Sequence, residues 1–166
     1  MPTGPAARIT DNVIHPLPPV LSPGPGAPTV LIGFLPAWRA VPTGAGAAMQ
    51  AMNQVANTAI QVAEAATLAA AGTPAAPGVY AAEQALKASL AASNAGAMAG
   101  MSGGADTHAC MTPLPIPPHG PGFVIDGSAT VQTMNLPQSR MGDTVIEAVG
   151  PPNKIVKGEM TVIVGG

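Results

Sequence analysis

The sequence predicts a small, mainly β fold built from three short repeated units, with an α-helical hairpin inserted into the second. Three observations carry this. A GxxTV pattern recurs, in which Gly26, Thr29 and Val30 match Gly127, Thr130 and Val131, and again Gly158, Thr161 and Val162. A PxxR pattern runs from Pro5 to Arg8, Pro36 to Arg39 and Pro137 to Arg140. One Ala-rich stretch, 44–104, interrupts the second unit.

Register ties the patterns together. Thr29 precedes Pro36 by seven positions, and Thr130 precedes Pro137 by seven. Asp11 follows Arg8 by three residues, as Asp143 follows Arg140, and each Asp precedes the next Thr of the pattern (Thr29, Thr161) by 18. Each unit therefore reads PxxR, Asp, a Pro/Gly-rich loop, Gly, then a short strand. The predicted strands are 29–32, 129–132 and 160–164, β-branched and bounded by Gly or Pro. A unit this small cannot bury its own apolar face, so the three must pack together.

In the second unit the Asp after Arg39 is delayed to Asp106. The intervening residues are strong helix formers, predicting helices over 46–71 and 79–101 around a Gly/Pro turn at 72–78. Gln50, Gln54, Asn57, Gln61 and Glu64 fall on one face of the first helix, and Met52, Val55, Ala59, Val62 and Ala66 on the other. In the second, Leu86 and Leu90 lie away from Gln84 and Lys87. An antiparallel pair packed through alanine follows. Each run approaches membrane-spanning length, but the polar stripe argues against a spanning pair. The predicted organisation is a discontinuous β unit, 1–43 and 105–166, with the hairpin 44–104 inserted.

Composition narrows the function. Only 8% of residues are charged and the net charge is −2, which leaves no basic face for nucleic acid. The aromatics are Phe34, Trp38, Tyr80 and Phe123 alone, against 20 Gly and 20 Pro. Hydrophobics at 47% still argue against a freely solvated chain. These values describe a turn-rich fold tied by something other than a large core. Cys110 is the only cysteine, so it is not in an intrachain disulfide. The N-terminal residues have no basic segment followed by an apolar one, which predicts synthesis in the cytoplasm without a signal peptide.

Four residues after the Asp of each unit stand His15, Cys110 and Glu147 in turn. His108 precedes the cysteine by two, and His119 follows in the same loop. Three imidazoles and one thiolate make a complete tetrahedral set for one Zn2+ ion, and four protein ligands leave no open position, so the ion would be structural. A small Pro/Gly-rich fold gains strongly from such a staple. The alternative is that the histidines are surface or hydrogen-bonded loop residues and Cys110 a small buried apolar one. A Cys110–His108 dyad would leave two histidines unexplained and has no orienting Asn or Asp placed by spacing. Arg8 with Asp11 and Arg140 with Asp143 are either structural ion pairs or solvated loop charges. No P-loop or dinucleotide fingerprint is present. The chain is not expected to be an enzyme.

Pro5, Ala6, Ala7 and Arg8 spell PAAR, and residues 6–15 match AARxxDxxxH through Asp11 and His15. The chain resembles the PAAR-repeat family, the spike-tip proteins of type VI secretion and related phage-tail-like contractile injection systems, over 5–42 and 105–166. The second and third units depart from the motif at its middle positions, with Ala37-Trp38 and Gln138-Ser139. The resemblance implies a pseudo-threefold, conical β domain seated as one copy on the blunt end of a trimeric β-helical spike. It implies zinc on His15, His108, Cys110 and His119. It implies docking through the strands around Thr29, Val30, Thr130, Val131, Thr161 and Val162, by strand addition. The expected function is to cap and sharpen the spike and to pierce a target membrane, the protein being assembled at the particle tip and delivered outward. The hairpin departs from the minimal family pattern. It opens the alternative of a membrane-active or cargo-binding adaptor, with a chaperone or a separate effector chain as partner, since no toxin domain is expected after Gly166. That alternative predicts that removing about 46–102 leaves the β unit folded and zinc-loaded.

Overall fold

The PxxR segments are where the repeats meet. The computed structural model describes residues 3–14, 20–21, 24–109 and 119–166. In it the third residue of each motif, Ala7, Trp38 and Ser139, is fully buried. Ala7 N–H donates to the Ser139 carbonyl, Ser139 N–H to Trp38 and Trp38 N–H to Ala7, each at 2.9 Å, closing a ring of three hydrogen bonds. A second ring lies beside it: Ile9 donates to Pro36 at 3.0 Å, Ala40 to Pro137 at 2.8 Å and Met141 to Pro5 at 2.8 Å. Each unit satisfies its neighbour's backbone groups, so no unit is complete alone.

A two-stranded antiparallel ladder leads into each PxxR segment, two of them hairpins and the third a pairing of strands from the two ends of the chain. β2 (Ala27–Ile32) pairs with β3 (Leu35–Ala37), β6 (Gln132–Thr133) with β7 (Leu136–Pro137), and β10 (Glu159–Val164) with β1 (Gly4–Ala6). Registers correspond: Leu31 faces Pro36, Gln132 faces Pro137 and Ile163 faces Pro5. Gly33 and Phe34, and likewise Met134 and Asn135, have positive φ, as a tight two-residue hairpin turn requires. The strands expected at 29–32 and 160–164 lie within β2 and β10. The one expected at 129–132 is displaced to β6. Ser128 Oγ accepts hydrogen bonds from the amides of Thr130 and Val131, at 3.3 and 2.9 Å, and holds them in a local turn instead of a ladder.

Arginine and aspartate pair in all three units. The Arg8 amide donates to Asp11 Oδ2 at 2.8 Å, the Arg39 amide to Asp106 Oδ2 at 2.7 Å and the Arg140 amide to Asp143 Oδ2 at 2.8 Å. The guanidinium of each arginine reaches the same carboxylate. All six residues are buried, so these are structural ion pairs and not solvated loop charges. Trp38 anchors one core cluster with Leu21, Val124, Val145 and Ile155.

The remaining strands form an antiparallel sheet in the order β4 (His108–Ala109), β5 (Pro121–Val124), β8 (Thr144–Glu147) and β9 (Asn153–Lys154). Against it sit α1 (Ala45–Ala70) and α2 (Ala76–Met101). With two helices of 26 residues beside strands of two to six, the fold is mixed α and β, not mainly β. Thr73 Oγ1 bonds the Ala70 carbonyl past the end of α1, and a proline stands in the first turn of α2.

The hairpin is antiparallel, as expected, but its inner face is another one. Gly46, Met49, Asn53 and Ala56 are the buried residues of α1, and Glu83, Asn94 and Met98 those of α2. Met49 and Met98 pack on Phe123 and Ile146 of the sheet and on Ala148 just past β8. Val55 and Val62, assigned to the apolar side, are exposed. Beyond Ala56 and before Asn94 the only buried helix residue is Glu83, so the distal half of the hairpin projects from the sheet. There Lys87 bridges Glu64 and Glu83 at 2.7 Å each. Burial pulls the Lys87 ammonium down, but its two carboxylates outweigh this and raise it, while the Lys87 hydrogen bond lowers Glu83. No described helix is long and apolar enough to cross a membrane.

Candidate metal centre

Sheet register assembles the site. His108 in β4 stands opposite Gly122 in β5, and Gly122 stands opposite Glu147 in β8. The imidazole and the carboxylate are therefore two strands apart in one row, with a glycine between them. A Cβ on Gly122 would lie 3.0 Å from Glu147 Cγ, 3.1 Å from Val145 Cγ1 and 3.3 Å from the His108 ring. The missing side chain is what lets the two groups approach over β5.

His119 enters from the residues preceding β5. Its Nδ1 lies 2.6 Å from Glu147 Oε2, and His108 Nε2 lies 3.4 Å from Oε1 of the same carboxylate. Glu147 is fully buried, His108 is 1% exposed and His119 8%. The His119 carbonyl accepts the Val149 amide at 3.1 Å, which fixes the loop against the end of β8. Gly150 lies beneath the ring with φ of 98°, and a Cβ there would meet His119 Cδ2 and Nε2 at 3.0 Å.

Two of the four predicted ligands, His108 and His119, are thus brought onto one buried carboxylate. The other two, His15 and Cys110, lie outside the described residues. Among the described residues no group of three or more His, Cys, Asp or Glu is arranged to hold a metal ion. The donor chemistry nonetheless fits zinc: two imidazoles converge, and Cys110 follows His108 by two residues. A carboxylate on the second nitrogen of a ligating histidine orients the ring and raises its basicity. Glu147 contacts His119 through Nδ1 and would take that part toward an ion on Nε2.

Sequence reasoning noted Glu147 at the third unit's equivalent of His15 and Cys110 but gave it no role at the site. The signal was present: an ionisable side chain at the repeat position where the other units carry His15 and Cys110.

Of the predicted docking residues, Thr29 and Val30 lie in β2, and Thr161 and Val162 in β10, while Thr130 and Val131 precede β6. All are exposed except Val30, which is half-buried. Comparison of the chain with protein-family models, with curated proteins and with solved structures gives no match.

Proposed function

We propose that the three units form a pseudo-threefold, conical β tip that caps the trimeric central spike of a contractile injection system. In this reading one structural zinc ion on His15, His108, Cys110 and His119 staples the point. The observation that carries it is the closed ring through Ala7, Trp38 and Ser139. A single chain whose three segments repeat one hydrogen-bond pattern presents three similar faces, which suits a partner with a true threefold axis.

Two further features support docking. Among the described residues each of the three ladders is a sheet of only two strands, so a spike strand can extend it. The ladders and their turns also carry exposed apolar side chains, including Leu31, Met134, Met160 and Ile163, and Phe34 at 95% exposure. Zinc held by four protein donors would cross-link the loops and offer no position to a substrate. The tip acts mechanically, sharpening the spike for membrane entry, and no turnover is assigned to it.

A second reading makes the hairpin an adaptor for an effector or a chaperone. The exposed Val55 and Val62, which line an apolar groove on α1 with Ala51 and Ala59, favour it.

Mixing the purified chain with the cognate trimeric spike and measuring the mass of the complex tests the tip reading. One chain per spike trimer is expected. Failure to associate, with both proteins folded, contradicts it.

A further inference from the structure

Asparagines of the helical hairpin bond to residues 147–150, the segment whose Glu147 carboxylate contacts both described imidazoles of the candidate metal centre. Asn53 Nδ2 donates to the Glu147 carbonyl at 2.9 Å and to the Gly150 carbonyl at 3.0 Å. Asn57 Nδ2 donates to the Gly150 carbonyl at 2.8 Å and its Oδ1 accepts the Gly150 amide at 2.9 Å, a reciprocal pair. Asn57 also donates to Asn53 Oδ1 at 2.9 Å. From the second helix, Asn94 Nδ2 donates to the Ala148 carbonyl at 2.8 Å. Asn53 is 1% exposed and Asn94 8%.

Buried amides on a helix face are tolerated only when satisfied, and a satisfied network fixes a single arrangement where apolar side chains would allow several. Apart from the Asn57–Asn53 bond, every bond here ends on residues 147–150. That stretch carries the Glu147 carboxylate, which contacts both imidazoles, and Gly150, which lies under the His119 ring. Rotating or sliding the segment would move the carboxylate and the floor of the His119 site together.

We propose that Asn53, Asn57 and Asn94 are positioning residues of the metal centre, so that the inserted hairpin sets how tightly the β unit holds its ion. This rests on the zinc reading above. It assigns the insert a task within the fold, and it opposes the expectation that the hairpin is separable from a zinc-loaded β unit.

The test uses the full chain and zinc itself. Zinc affinity is measured by competition with a chromophoric chelator, and the geometry by the visible spectrum of the Co2+ form. The variants are Asn53→Ala with Asn57→Ala, the single change Asn57→Asp, and the distal control Lys87→Met. Asn57→Asp removes the donor while keeping the acceptor for the Gly150 amide, and serves if the double variant does not fold. Folded asparagine variants are expected to lose zinc affinity by about tenfold to a hundredfold, with an altered Co2+ spectrum, and the control to stay within about twofold. Asparagine variants that fold and hold zinc like the unaltered chain overturn the positioning role alone. An equal loss in the Lys87 variant also overturns it, because it would trace the effect to general loosening of the hairpin. An unaltered chain that takes up no zinc overturns the metal reading, and the positioning role with it.

Discussion

Arg39 grips Asp106 with the bonds that join Arg8 to Asp11, although 67 residues and not three separate the partners. The Arg39 amide, Nε and Nη2 donate at 2.7, 3.0 and 2.6 Å; the Arg8 amide, Nε and Nη2 donate at 2.8, 3.2 and 3.1 Å. The backbone bond from the Asp amide to the Arg carbonyl is 3.2 Å in both. The hairpin is therefore spliced into a two-residue turn without disturbing the turn's ends.

Asp106→Ala is expected to destabilise the chain by about 3–5 kcal/mol, because it leaves a buried guanidinium without its counter-ion. Arg39→Ala with Asp106→Ala should cost less than the two single changes summed. Urea unfolding of the four proteins measures the difference, and additive costs would show that the pair is not coupled.

Gly122→Ala is expected to weaken both the fold and the metal centre. Its new methyl would press on Glu147, Val145 and His108, a strain of about 1–3 kcal/mol in a packed interior. Thermal melting reads the stability and zinc titration the site. A variant unchanged in both would contradict the row formed by His108, Gly122 and Glu147.

The seat of the hairpin predicts a contrast between its faces. Met49→Ala and Met98→Ala each empty a fully buried site and should cost about 2–5 kcal/mol. Val55→Ala and Val62→Ala, on the outer face, should stay within about 0.5 kcal/mol. Denaturant midpoints decide this, and reversed costs would mean that α1 packs by the other side.

Asp143 predicts a pH dependence. Burial pushes its carboxyl up from 3.8 to about 6, against the lowering effect of the Arg140 guanidinium. The folded state then holds this proton more tightly than the unfolded one. Its contribution to stability is full below about pH 3.8 and is lost as the pH rises through about 6. Asp143→Asn should flatten that part of the stability profile between pH 4 and about 7, which urea midpoints across the range would measure. An unaltered slope would contradict the assignment.

The repeats were legible because their residues answer stereochemical needs that recur at fixed spacing. The Pro, Arg and Asp positions of one unit demand the same bonds in the next, so even the displaced Asp106 could be matched to Arg39. The seating of the hairpin was not legible. An Ala-rich helix packs closely at many rotations, so the spacing of Gln50, Gln54, Asn57, Gln61 and Glu64 marked a polar face without showing what it meets. The structure instead turns Asn57 onto Gly150 and buries Asn53, since an amide meets a carbonyl of the sheet as readily as it meets water. At the site, His108 and His119 were singled out by residue type, and the structure brings both onto Glu147. The role of Glu147 depends on strand register across β5, which spacing along the chain does not reveal.

Metal analysis of the purified chain, with thermal melting before and after a zinc chelator, tests the central claim most directly. The account predicts one zinc per chain and a melting temperature lowered by at least about 5 °C on its removal, with His119→Ala reproducing the loss. A folded chain that carries no zinc, and whose melting neither the chelator nor His119→Ala changes, would contradict it.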